Sequence, residues 1–190
     1  ELTQKQKIIV LVRLLEFIKS EEDPTEQEFE FVSTVSDAFN VAQEEYVELK
    51  NYVLDDFTAI PYTKNLLVIS SNKQVPEPSK TIYSESITGE IKVFNIASVN
   101  MQMFRSHGIP ELTLNGQLLP EERVNFLTPG SSLRHTKIKP IYFSEILSAY
   151  NVDKSKARIV FETKDLVYKF AGGKFGLYPM NFLEESGNLV

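Results

Sequence analysis

The sequence predicts an α+β protein of several parts. An N-terminal helical bundle is expected over residues 1–60 and an antiparallel β-sandwich over 61–142, then a helix and linker over 143–156 and a C-terminal β-hairpin over 157–190. Three observations carry this reading. Apolar residues recur at helical spacing in the first stretch and at strand spacing after it. The second stretch is punctuated by Gly, Pro and Asn-Gly signals. Charge divides at the same place: residues 1–60 hold 5 Lys/Arg and 14 Asp/Glu (−9), residues 61–190 hold 15 and 12 (+3), and the two sum to −6. A break of that size marks separate modules.

The elements follow in order. Thr3 with Gln6 forms a capping-box signature, and Ile8 to Ile18 is apolar on nearly every side, the pattern of a helix buried by several neighbours. In "PTEQEFEFVSTVSDAFN", Thr25 caps and Glu28 stands three later. Phe29, Val32, Val35, Ala38 and Phe39 then recur near helical period, and Asn40 closes the helix in the left-handed conformation. A third helix turns Tyr46, Leu49, Tyr52 and Val53 to one side, and the bundle's exterior is acidic. "NKQVPEPSK" reads as a loop between strands. After it come "TIYSES", "EIKVFNIA", "VNMQMFRS", "ELTLNGQLL" and "SSLRHTKIKPIYF", short β-branched and aromatic runs. Asn115-Gly116 between leucine-bearing segments is a strong hairpin signal. "YFSEILSAYNVDKS" reads as a short helix and linker.

Composition bounds the function. At 190 residues, 42% hydrophobic and 24% charged, the chain is long enough for a core that needs no staples. It has no cysteine, which excludes disulfides and thiolate metal sites and favours a cytosolic setting. The longest apolar run, Ile8 to Leu15, is interrupted by Arg13 and falls short of the roughly 20 residues that span a bilayer. No cleavable leader and no direct membrane insertion are expected. No segment carries a basic stripe, so nucleic acid is not an expected partner. His107 and His135 lack carboxylates at metal-ligand spacing, there is no G-x-S-x-G elbow, and neighbouring acidic pairs such as Glu121-Glu122 point apart on a solvated surface. No catalytic residue is expected.

The last segment, "IVFETKDLVYKFAGGKFGLYPMNFLEESGNLV", resembles the first antiparallel strands of an ABC-transporter ATPase domain. Phe161, Leu166, Tyr168 and Phe170 match the first strand and Gly172-Gly173 its turn. Leu177 to Phe182 match the second strand, and Gly187-Asn188-Leu189-Val190 the approach to the phosphate loop. The resemblance covers about 35 residues. No G-x-x-x-x-G-K-[ST] occurs, so phosphoryl transfer lacks its electrostatic parts and these residues are not expected to hydrolyse ATP. The resemblance implies the front part of a longer transport ATPase. ATP and magnesium are expected for that parent protein, not for these residues, and the partners are its downstream ATPase and transmembrane domains. It also implies that Phe170, with Tyr168 one alternation earlier, stacks on adenine; plain strand packing is the other reading.

Two fainter likenesses concern the earlier parts. "LLEFIKSEEDPTEQEFEFVSTVSDAFNVAQEEY" is similar to the tellurite-resistance B-type helical domain, which implies a cation at Glu22, Asp23 and Glu28. Asp23-Pro24 stands where that family has Asp-Gly, and the residues favour a capping role for Glu28. "LTLNGQLLPEERVNFLTPGSSLRH" resembles the late strands of forkhead-associated domains through Leu127, Gly130 and Leu133, although that family's Gly-Arg pair is missing. This likeness implies a peptide or phosphopeptide site, for which Arg105, Ser106 and Asn115 are the candidates. Two functions stay open. One is a regulatory region of an ABC-type transport ATPase at the cytoplasmic face of the membrane. The other is a free-standing interaction module with a phosphopeptide-binding-like sandwich.

Overall fold

The computed structural model describes residues 2–151 and 160–185. Contacts divide the chain into two units, Glu1–Tyr150 and Asn151–Val190.

Local signals set the first unit's helices. Helix α1 (Gln4–Ser20) and helix α2 (Glu26–Ala38) both begin in complete capping boxes, on Thr3/Gln6 and Thr25/Glu28. A cap of this kind contributes about 1 kcal/mol, because it satisfies amides that the first turn leaves unpaired. Asn40 leaves α2 at φ 56°, as its left-handed tolerance predicts. Helix α3 (Gln43–Leu54) buries Tyr46, Leu49, Tyr52 and Val53, the side read from the sequence. On α2 the expected face is rotated: Ala38 is exposed, Ser36 is buried and Phe39 is only half-buried. At 100° per residue, Phe29, Val32, Ser36 and Phe39 share one side and Ala38 falls off it. Phe39 ends under the Lys7 ammonium, 5.9 Å from the ring centre.

A five-stranded sheet follows: β1 (Leu66–Ser70), β2 (Lys80–Tyr83), β3 (Glu90–Ile96), β4 (Met101–His107) and β7 (Asn125–Leu127), in spatial order β2-β1-β3-β4-β7. A four-stranded sheet is formed by β5 (Thr113–Leu114), β6 (Gln117–Leu118), β8 (Ser132–Arg134) and β9 (Ile141–Tyr142), in order β6-β5-β8-β9. The Asn115-Gly116 turn joins β5 to β6 with φ of 51° and 85°, the two positive values a tight hairpin turn requires. One expectation is corrected here. The larger sheet is mixed, because β1 and β2 run parallel, with Leu67 opposite Lys80 and Ser70 opposite Tyr83. Residues 71–79 carry the chain back to the same end of the sheet, so the proline-bearing segment is a crossover and not a hairpin loop.

The central sheet is buried on both faces. Leu66, Val68, Phe94, Ile96, Met101 and Met103 pack with Ile8, Leu11, Leu15, Val32, Leu49 and Tyr52 of the helices. Leu67, Ile69, Ile91, Val93 and Phe104 form a second core with Leu133 and Ile141 of the small sheet and Ile146 of helix α4 (Phe143–Asn151). Residues 1–60 therefore have no core to themselves: their apolar faces close on the sheet, and the bundle and sandwich form one unit of stacked layers. Helix α4 belongs to that unit too. Its Ile146 is fully buried, and the Tyr150 hydroxyl lies 2.7 Å from the Val93 carbonyl. The edge strand β7 is held by α1: Arg13 donates to the Val124 carbonyl (3.1 Å), and Glu16 accepts from the Val124 amide (3.0 Å).

The second unit is a hairpin of β10 (Val160–Lys169) and β11 (Phe175–Glu185). Gly172 and Gly173 turn it at φ 103° and 83°. A bulge at Asp165 (φ 50°), whose amide is taken by the Asn181 side chain, shifts the register before Leu166. Gly187 to Val190, the expected approach to a phosphate loop, and linker residues 152–156 lie outside the described residues.

Candidate functional site

The most unusual chemistry of the first unit is a pair of buried cations at the C-terminal end of α3, joined there by an exposed lysine from α1. Lys92 on β3 and Arg105 on β4 are direct cross-strand partners, 1% and 0% exposed. Like charges placed so ordinarily repel. The unpaired carbonyls of a helix end supply the compensation, together with the negative end of the helix dipole. Arg105 donates through Nη1 to the carbonyls of Tyr52 (2.8 Å) and Asp55 (2.9 Å), and through Nε to that of Glu122 (2.9 Å). Lys92 Nζ donates to the Phe57 carbonyl at 2.7 Å and lies 4.9 Å from the Phe57 ring centre and 5.1 Å from that of Tyr62. From α1, Lys19 Nζ reaches the carbonyls of Val53 (2.9 Å) and Asp55 (3.0 Å). The Tyr52 hydroxyl closes the arrangement by donating to the Lys92 carbonyl at 2.7 Å.

Burial governs how these groups titrate. Desolvation holds both lysines below the ordinary range. At Lys92 the Glu90 carboxylate opposes it and the Arg105 charge reinforces it; at Lys19 the Arg105 charge reinforces it, opposed by Glu122, Asp56 and Asp55. Burial pushes the Tyr52 and Tyr150 phenols well above theirs. Within this cluster Arg105 Nη2 has no hydrogen bond, with Glu122 Oε2 at 3.6 Å. That carboxylate meets His107 Nδ1 at 2.7 Å through its other oxygen, and the His107 ring stacks on Phe57 with centres 5.4 Å apart. The cluster caps a helix and ties it to two strands. The Arg105 guanidinium, on a residue 0% exposed, is closed to solvent.

The three phosphopeptide candidates do not converge. Arg105 faces the helices while Ser106, one alternation on, faces the opposite side of the same sheet. Asn115 is exposed in the β5–β6 turn, where its Oδ1 accepts from the Ser132 amide at 2.9 Å. The sequence held the clue to the missed burial. Met101 and Met103 share a face with Arg105, and Phe94 and Ile96 share one with Lys92, so neither cation stands on a water-facing side.

The candidate cation residues separate in a similar way. Glu28 accepts from the amide (2.7 Å) and hydroxyl (2.8 Å) of Thr25, and those bonds hold its carboxyl below the usual range. Glu22 and Asp23 are exposed in the preceding loop. Among the described residues no group of three or more His, Cys, Asp or Glu side chains is placed to hold a metal.

In the hairpin, Tyr168 and Phe170 do come together. Their rings meet edge to face, 5.1 Å apart at 82°, and both are more than half exposed. Gly176 on β11 makes the room: a Cβ there would fall 2.6 Å from the Phe170 ring and 2.8 Å from the Tyr168 ring. Phe161, Leu166, Val167, Phe175, Tyr178 and Met180 are also exposed, so the hairpin is rich in uncovered apolar surface.

No family model, no curated protein and no solved structure matches this chain. No helix among the described residues is long and apolar enough to cross a membrane.

Proposed function

We propose that the chain is a non-catalytic, regulatory N-terminal region of an ABC-type transport ATPase, acting at the cytoplasmic face of the membrane through its parent protein. In this reading residues 1–150 are a docking or sensing body, and the hairpin is the opening of the nucleotide-binding domain. The observation that carries it is the Tyr168–Phe170 pair, two half-exposed rings laid against a glycine. A ring face open to solvent on a paired strand suits an adenine base, which gains stacking energy without hydrogen-bond readout. Triphosphate and magnesium would need a glycine loop and carboxylates from residues beyond Val190. The regulatory part requires contacts of the 1–150 body that differ between nucleotide-bound and free states.

The phosphopeptide alternative is weaker, because Arg105 spends its donors on main-chain carbonyls inside the protein. The test is made on the whole protein. Phe170→Ala and Tyr168→Ala should each weaken binding of a fluorescent ATP analogue by about tenfold, the scale of one lost base stack. Residues 1–190 alone should show no ATP hydrolysis. A reading frame that ends at Val190, or continues without a glycine-lysine phosphate loop, overturns the proposal.

A further inference from the structure

The outer side of the α1–α2 pair carries uncovered apolar surface. The two helices run antiparallel: Gln4 Nε2 donates to the Phe39 carbonyl at 2.8 Å, and Lys7 Nζ lies 5.9 Å from the Phe39 ring centre. Those contacts mark a seam. On α1 the row that starts at Lys7 continues through Val10, Leu14 and Phe17. On α2, Phe31, Val35 and Phe39 form one i, i+4, i+8 row. One residue up α1 is one residue down α2, so Val10 comes level with Val35 and Leu14 with Phe31. Phe17 is 61%, Phe31 60% and Val10 38% exposed, while Leu14 and Val35 are half-buried. At about 200 Å² per ring the two phenylalanines alone leave about 240 Å² open, and Val10 brings the patch to the scale of surfaces that bind other proteins.

Charge is polarised along this seam. At its closed end, the loop after α1 and the start of α2 expose Glu21, Glu22, Asp23 and Glu26. Lys19 stands at the same end, but its ammonium is taken by the Val53 and Asp55 carbonyls. The open end carries exposed Lys5 and half-buried Lys7, together with exposed Asp37. A surface with both signs at opposite ends complements itself when turned end for end. We infer that this seam joins two copies of the chain in a weak two-fold dimer, the axis crossing the seam so that the helices meet head to tail. Phe17 of each copy then reaches toward Val10 of the other, and Lys5 and Lys7 of each face Glu21, Glu22 and Asp23 of the other. The parallel arrangement would set acidic end against acidic end. The apolar patch falls short of the roughly 800 Å² per partner of a stable interface, which sets the affinity in the micromolar range. The inference uses only the first unit and does not depend on the ATPase reading.

Sedimentation equilibrium of the 190-residue chain should show a monomer–dimer equilibrium with a dissociation constant of about 10–100 μM. Phe17→Gln with Phe31→Gln should weaken it at least about tenfold, because both rings are central to the patch. Lys5→Glu with Lys7→Glu should weaken it about fivefold, and so should Glu22→Lys with Asp23→Lys. An equimolar mixture of those two charge variants should recover wild-type association, since every facing pair is then of opposite sign. All these substitutions but Lys7 lie on exposed residues, and an unchanged melting temperature in dilute solution confirms the fold of each variant. The inference is overturned by a chain that stays monomeric to about 1 mM. Association indifferent to the glutamine pair, as contact through the hairpin would give, overturns it too. So do charge variants that associate like wild type, or a mixture that fails to recover.

Discussion

Replacing Tyr52 by Phe isolates one bond of the buried cluster. The ring keeps its place against Phe94, 5.2 Å away, so no appreciable cavity opens; what disappears is a 2.7 Å hydrogen bond to the Lys92 carbonyl in a fully buried setting. Losing such a bond and leaving a carbonyl under-satisfied costs about 1.5 kcal/mol, or about 3–6 °C of melting temperature for a unit of this size. The pH dependence supplies a second, independent signature. The folded-state pKa of Tyr52 is raised above the unfolded value near 10. Its contribution is therefore complete below pH 10 and is lost above it, where the unfolded phenol ionises and the folded one does not. The wild type should lose about 1.4 kcal/mol per pH unit there from this group, and Tyr52→Phe should not, so the gap between the two narrows. Urea unfolding at neutral pH and at two alkaline values measures both effects. An unchanged midpoint at neutral pH, or a gap that stays constant above pH 10, would refute the reasoning.

Two further outcomes follow from the same structure. Lys92 has a folded-state pKa below its unfolded value of 10.5, so the unfolded chain binds more protons and stability should climb as pH rises toward 10.5; Lys92→Met should flatten that climb, and adding Lys19→Met should flatten it further, as read by denaturant midpoints across the alkaline range. Ile146→Ala should cost about 2–5 kcal/mol, because Ile146 is fully buried between α4 and the central sheet; a chemical-denaturation midpoint that does not move would show that α4 is dispensable to the unit.

What the sequence made legible was local. Thr3/Gln6, Thr25/Glu28, Asn40, Asn115-Gly116 and Gly172-Gly173 each act within a few residues, and each appears where its chemistry demands. The burying face of α3 was equally readable, since helical period fixes it. Long-range matters were not. "LLVIS" is buried at every position because layers cover both sides of its sheet, and such a run reads as a generic strand without naming what covers it. The parallel placement of β2 depends on where a nine-residue crossover returns the chain, a question of path and not of propensity. Arg105 looked like a ligand-facing charge because its true partners are main-chain carbonyls about fifty residues earlier and Glu122 seventeen later. In the hairpin, the spacing of Tyr168 and Phe170 placed them on one side, but the space that Gly176 opens for them came from the opposite strand.

Among the described residues, both cores of the first unit draw their members from positions up to Tyr150. Severing the polypeptide after that tyrosine would thus subtract no described side chain from either interior. The leading three-quarters of the molecule is in that sense portable, an insert that protein engineers could graft ahead of an unrelated enzyme.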